Sequence, residues 1–318
     1  MSEFASAAMI RVLAQGMRDL GLDPGHHAPI GAHARVELTL KRRLVGSALQ
    51  QGGMACLPLL GRGLHRLSHE PTHHALVSAS SALDLFKRWQ RLERYIHSQH
   101  RCDLLDANAQ TARLRHVALA GAAPPLPAED LLVLGVLAAL LEALGLQAVR
   151  VYLGRVPAFP EPDVQGLERV ISRAETSIWD FKWSGTVSSA GATSQGSSLP
   201  ATLGADQAWS ECACVVYARL MSDLTRPPSL LALADSLHVS SRTLQRDFGR
   251  SGLTYSHLLA QARCRTGAWR LLHTPWSVAE IGFLSGYSDQ AHFTRELQRR
   301  VGMTPAVYRQ AFSVSAVA

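Results

Sequence analysis

Lysine is almost missing from this chain of 318 residues: Lys41, Lys87 and Lys182 are the only three, so arginine supplies nearly all of its 32 basic side chains. A guanidinium donates through a rigid planar fork that fits phosphates and guanine, which an ammonium does not, although coding bias in the source genome would leave the same deficit. Cysteine is scarce as well. Five of them, an odd number without framework spacing, exclude a disulfide-stapled secreted fold and fit a reducing cytoplasm. Cys212 and Cys214 stand at i and i+2 of a predicted helix, where they point to different faces, so they read as packing and not as a redox pair. No basic segment leading into an apolar one opens the sequence, which argues against a secretory leader. The longest apolar run, Leu131 to Leu141, is about half of what a bilayer crossing requires, so a buried helix in a cytoplasmic protein away from membranes is expected.

Catalytic signals are wanting too. No nucleophile stands beside an activating base, and no reactive-cysteine context is present. His65 with His69, His73-His74, and the run His97 to Cys102 have spacings a metal might use, but histidines scattered over polar helix ends read as solvated. Neither an enzyme nor a bound cofactor or metal is expected.

What the chain does have is two helix-turn-helix patterns in tandem, with matching core residues 49 positions apart. The first runs from Ser229 to Phe248: a short apolar helix, a tight turn, then a helix capped by Ser240 that buries Leu244 and Phe248. Its other face carries Arg242, Gln245, Arg246 and Arg250. Arginine donates bidentately to guanine O6 and N7, and glutamine pairs with adenine N6 and N7, so this face suits a major groove. In the second, Ser277-Val278-Ala279-Glu280 forms a capping box, Ile281 and Leu284 face inward, and Gly286 supplies the freedom for a sharp turn. Ser288 or Asp289 caps the next helix, which buries Phe293 and Leu297 at the i, i+4 spacing of Leu244 and Phe248. Laying Leu244 on Phe293 sets Arg246 against Arg295, Gln245 against Thr294 and Arg242 against Ala291. The second reading face is therefore Gln290, Ala291, His292, Thr294 and Arg295, with one guanidinium and less discriminating power.

Tyr255 to Leu272 holds no proline and reads as one continuous helix of ~27 Å. Successive major-groove faces lie ~34 Å apart on one side of a duplex, so this rod suits two recognition helices in consecutive grooves of one chain. Thr304-Pro305 then opens a closing helix through Arg309. Residues from about 210 to 312 resemble the DNA-binding domain of AraC/XylS-family transcription regulators, on the stretch from Leu233 to Arg246 and on Ile281-Gly282, Gly286-Tyr287, Phe293, Gly302, Thr304-Pro305 and Tyr308-Arg309. That resemblance implies an all-α domain of two helix-turn-helix units joined by a linker helix, sequence-specific binding of double-stranded promoter DNA, and contact with RNA polymerase. Where such proteins often carry arginine near the middle of the linker helix, this chain has Cys264, which leaves open whether Arg263 or Arg265 takes that place. From residue 211 on, twelve arginines and no lysine against seven acidic residues leave +5 of the chain's +7, as a polyanion partner requires.

Gly185 to Ala205 is built of small and polar residues with no apolar period and reads as a flexible tether. The expected organisation is thus a regulatory, effector-binding or dimerising domain over 1–184, a linker over 185–207 and the DNA-binding domain over 208–318. For the first domain, periodicity predicts helices over Phe4–Leu20, Val36–Gln51, Leu83–Ser98, Ala128–Leu144 and Val164–Ala174, and strands over Thr111–Leu119, Val149–Leu153 and Ser177–Trp183, an α+β arrangement. It loosely resembles the amino-terminal regulatory domain of AraC-type regulators related to those controlling ornithine use or quorum-linked virulence. Trp89, Trp179, Phe181 and Trp183 with the Leu131 to Leu141 helix are candidates to line a pocket for a small, partly apolar effector, or simply to pack. A DNA-tethered enzyme and an architectural DNA binder are the alternative readings, and dimerisation stays open.

Overall fold

A computed structural model describes residues 4–25, 35–67, 70–96, 99–187 and 209–312. They fall into two compact units, the first drawn from Met1–Arg66 and Ala75–Ser194, the second from Leu67–His74 and Gln195–Ser313. Apart from residues 185–187, the stretch that reads as a tether lies outside the described residues, as do His69 and His97.

The first unit is α+β. Its sheet has five antiparallel strands in the order β3 (His100–Ala107), β4 (Thr111–Ala118), β7 (Ile178–Ser184), β5 (Gln147–Leu153), β6 (Val156–Phe159). Alternation along β4 and β7 turns Ala112, Leu114, Trp179, Phe181 and Trp183 inward, where all five are buried. The helix α5 (Pro127–Ala143) is apolar on every side because every residue from Leu131 to Leu141 is buried. It packs against a 3-10 segment, Leu57–Arg66, and against α2 (Leu38–Cys56); the unit also holds α1 (Ala7–Asp19), α4 (Ala82–Ile96) and α6 (Val164–Ser172). The aromatics offered as a pocket lining are core: Trp179 and Phe181 are fully buried, and Phe86 meets Phe181 edge-on at 5.6 Å.

Two readings of this unit need correction. The first helix starts at Ala7, capped by Ser6, and not at Phe4, because Phe4–Ser6 is a short strand β1 paired with β2 (Arg35–Glu37). That pairing joins residues some thirty positions apart, which local periodicity cannot reveal. His100-Arg101-Cys102 is not a polar helix end but the start of β3, with His100 and Cys102 buried. On α4, Arg88 is 1% exposed, bonded to Asp84 at 3.1 Å and to the Ala75 carbonyl at 2.7 Å.

A chain of buried polar groups crosses this core. Asp130 accepts from Thr176 Oγ1 at 2.6 Å and lies 2.8 Å from His116 Nδ1, while Lys41 stands 4.0 Å from Glu129. Burial is the main cause that pulls the Lys41 ammonium below its ordinary pKa, with Glu129 acting against it.

The second unit is helical. Between residues 209 and 312 it runs α7 (Glu211–Ser222), α8 (Leu230–Ser236), α9 (Ser241–Arg250), α10 (Tyr255–His273), α11 (Val278–Leu284), α12 (Gln290–Val301) and α13 (Pro305–Phe312). One core gathers Val216, Tyr217, Leu220 and Leu224 with Leu233, Leu244, Phe248, Leu258 and Ala262. Pro71–His74, the start of α3 (Pro71–Val77), also belongs to this unit by its contacts, and its Pro71 carbonyl accepts from the Tyr308 hydroxyl at 2.7 Å.

Candidate nucleic-acid interface

Each of the two helix pairs is built by its caps. In the first, the Ser229 hydroxyl accepts from the Ala232 amide at 3.1 Å to start α8, and the Ser240 hydroxyl accepts from the Thr243 amide at 3.1 Å to start α9. The turn between them passes through His238 at φ +55°, a left-handed conformation that histidine tolerates better than most side chains. In the second, the capping box is complete: Ser277 N donates to Glu280 Oε2 at 2.7 Å and Glu280 N to Ser277 Oγ at 3.2 Å. The turn here uses Gly286 at φ +82°, packed so tightly on the Leu224 carbonyl that no Cβ fits. Asp289, not Ser288, caps α12, accepting from the His292 amide at 2.7 Å. Four caps of this kind each stabilise a helix end by about 1 kcal/mol and fix where its first turn begins.

With those starts fixed, the faces follow from the 3.6-residue period. Leu244 and Phe248 turn inward from α9, and Arg242, Gln245, Arg246 and Arg250 are all exposed opposite them. On α12, Phe293, Leu297 and Val301 are buried; Gln290, Ala291 and Arg295 are exposed, and His292 and Thr294 are half-buried on the flanks. Every side chain expected on the two reading faces is therefore at the surface of its helix.

Acidic residues on these helices are held by neighbours. Asp247 accepts from the Ser210 hydroxyl, which also caps α7. Glu296 accepts from Arg299 at 2.7 Å and from Arg300 at 3.1 Å, and these bonds, Arg299 foremost, take its carboxyl from the ordinary 4.5 to about 2. The arginines left outward, Arg242, Arg246, Arg250 and Arg295, give both faces a positive field.

The linker helix α10 runs 19 residues, ~28 Å at the usual rise. Leu258 and Ala262 anchor its first half in the α7–α9 core. Its second half meets α11, α12 and α13: Arg270 donates to Ser285 Oγ at 3.2 Å, and Arg309 donates to the carbonyls of Leu271 at 3.0 Å and Trp276 at 2.6 Å. At its middle Cys264 is buried, which pushes its thiol up to about 12. Arg265 is turned inward, 5% exposed, with its guanidinium 5.4 Å from the Trp209 ring and 5.5 Å from the Tyr217 ring. It is a packing residue of the linker, unavailable to phosphate.

Thr243 is missing from the reading set derived from sequence, although the 49-residue register places it opposite His292. It is exposed in the first turn of α9, its hydroxyl 2.9 Å from Ser240 Oγ. That register was the signal that would have found it. Among the described residues, no group of three or more His, Cys, Asp or Glu is placed to hold a metal, and no helix is long and apolar enough to cross a membrane.

Two capped helix pairs with basic outer faces, strung on one helix, define a double helix-turn-helix DNA-binding domain. Residues 233–311 match the family described as "Helix-turn-helix domain", and the carboxy-terminal unit is of AraC type. Over 91 residues the chain is 35% identical to the ornithine utilization regulator of Pseudomonas aeruginosa, covering 28% of this chain and 27% of that one. It is 32% identical over 91 residues to the HTH-type transcriptional activator RhaR of Salmonella schwarzengrund, covering 28% and 32%. Over 84 residues it is 37% identical to the HTH-type transcriptional regulator VirS of Mycobacterium tuberculosis, covering 26% and 25%. The match thus spans about a quarter to a third of each relative. Among solved structures, the C-terminal domain of AraT, a response regulator from Geobacillus stearothermophilus, is 25% identical at a TM-score of 0.31, covering 34% of this chain and 92% of that one.

Proposed function

We propose that this chain is a sequence-specific regulator of transcription in the bacterial cytoplasm and not an enzyme. Its two recognition helices, α9 and α12, enter adjacent major grooves of a promoter. Arg242, Gln245, Arg246 and Arg250 read one groove, and Gln290, Ala291, His292, Thr294 and Arg295 read the next. The observation that carries this reading is the pair of basic, outward faces rooted in opposite halves of the same ~28 Å helix, close to the ~34 Å between groove faces. The first unit, with a sheet and core of its own, takes the role of sensor for a small molecule or partner, and the bound complex works through contact with RNA polymerase.

Hydroxyl-radical and guanine-methylation footprinting of the full chain on a selected binding site tests the groove reading. Two protected major-groove patches about one helical turn apart, at one chain per duplex, are expected. A single patch would overturn it.

A further inference from the structure

The Ser288 hydroxyl has one proton, and it is committed: Ser288 Oγ donates to Asp289 Oδ2 at 3.0 Å. Asp289 has none to give back, since the His292 backbone amide and the Ser288 hydroxyl hold its carboxyl below the usual carboxylate range. Yet Ser288 Oγ also lies 3.1 Å from His292 Nδ1. With the hydroxyl proton spent on Asp289, that contact is a hydrogen bond only when Nδ1 carries a proton and donates it to Oγ. In the neutral ring the other nitrogen, Nε2, is then a bare lone pair.

The ring is also fixed in direction. Tyr287 meets it edge-on, centroids 5.3 Å apart at 86°, and Tyr287 is itself buried against Phe293 at 5.0 Å. His292 stands three residues before Arg295, so the two share one flank of α12 in its first turns. Among the described residues Nε2 has no hydrogen-bond partner. A fixed acceptor is thus presented beside the second unit's reading arginine.

In a major groove the hydrogen-bond donors on base edges are the amino groups N6 of adenine and N4 of cytosine, whereas guanine and thymine present acceptors. We propose that His292 reads one such amino group as an acceptor, which makes it a specificity residue of the second helix-turn-helix, preferring adenine or cytosine at one strand position. This rests on the reading of α12 as a groove-inserted helix. Thr243, in the same position of α9, has a hydroxyl that can donate or accept, so the first unit lacks this discrimination.

Two measurements on the full chain decide it. Long-range proton–nitrogen NMR of histidine-labelled protein, with the His292 signal assigned by its loss in His292→Gln, should show the Nδ1–H form. Selection from randomised duplexes by wild type and His292→Ala should reveal the base pair that His292 reads, and at that pair wild type should bind about twofold to tenfold less, the range of one net hydrogen bond, when the amino group is removed by purine in place of adenine or 2-pyrimidinone in place of cytosine. His292→Ala should flatten that position alone and be indifferent to the missing amino group, and Ser288→Ala, which frees the ring but leaves the Asp289 cap, should depend on that group less than wild type. The Nε2–H form, unchanged wild-type binding when the amino group at the flattened position is removed, or no flattened position would each overturn the proposal. If wild type enriches no sequence at all, the groove reading itself falls and takes this one with it, a result distinct from enrichment without the amino-group preference.

Discussion

Gly267 of the linker helix lies against the ring of Phe293 on the second recognition helix: a Cβ on Gly267 would fall 2.7 Å from Phe293 Cε2 and 3.0 Å from Cζ. Phe293 is fully buried, so the ring has no open space into which to move. A side chain at 267 would tilt α12 against α10. Gly267→Ala gains about 1 kcal/mol in helix propensity but overpacks the contact at a cost of about 1–3 kcal/mol. A lower urea midpoint is expected, together with weaker specific DNA binding; a raised midpoint would show that the ring yields.

Arg246 is the exposed arginine at the centre of the first reading face. Arg246→Ala is expected to cost about 1–3 kcal/mol on the specific site and little on random DNA, as read by fluorescence anisotropy at one salt concentration. Equal losses on both would assign Arg246 to phosphate alone.

Glu296 gives a pH dependence with a definite sign. Its folded carboxyl, at about 2, lies below its ordinary 4.5, so the unfolded chain binds the proton more readily. The stability it contributes is complete above about 4.5 and is lost as pH falls towards 2. Glu296→Gln should therefore lower the melting temperature near neutrality and differ less and less from wild type across that window. A constant difference down to pH 2 would refute the assignment.

A fragment from Ala208 to Ala318 should fold and bind specific DNA by itself, because the core from Ala213 to Ala262 and the Phe293, Leu297 and Val301 packing lie within it. It loses the Tyr308–Pro71 bond, which adds a partner from outside those limits. An unfolded circular dichroism spectrum would show that Pro71–His74 is required.

If the first unit is a sensor, it shifts promoter output only through its different affinities in the free and bound states. Reporter output from full-length protein should vary with growth condition where that of the fragment does not. Identical responses in every condition would favour the architectural reading.

The second unit was legible in the sequence almost residue by residue, since caps, turn residues and i, i+4 core pairs are local signals: Ser240, Ser277, Gly286 and Phe293 all stand where their chemistry requires. The inward turn of Arg265 was not, because it depends on Trp209 and Tyr217, more than forty positions away. In the first unit, the all-apolar α5 and the alternating β4 and β7 were legible, while β1, β2 and β3 were not. β1 and β2 pair across some thirty positions, the polar start His100–Cys102 masks β3 although its hairpin partner β4 is adjacent, and a buried charged side chain such as Arg88 looks solvated until Asp84 and the Ala75 carbonyl are in place.

Because α10 is rooted in both helix-turn-helix cores, the angle between the two recognition helices is set by the protein and not by the DNA. A duplex turns by roughly 35° with each base pair. On the groove reading proposed above, the linker acts as a torsional gauge. One base pair added between the two half-elements would put them out of phase, and a whole turn added would restore the phase but exceed the reach, so the target is defined by its spacing as firmly as by its letters.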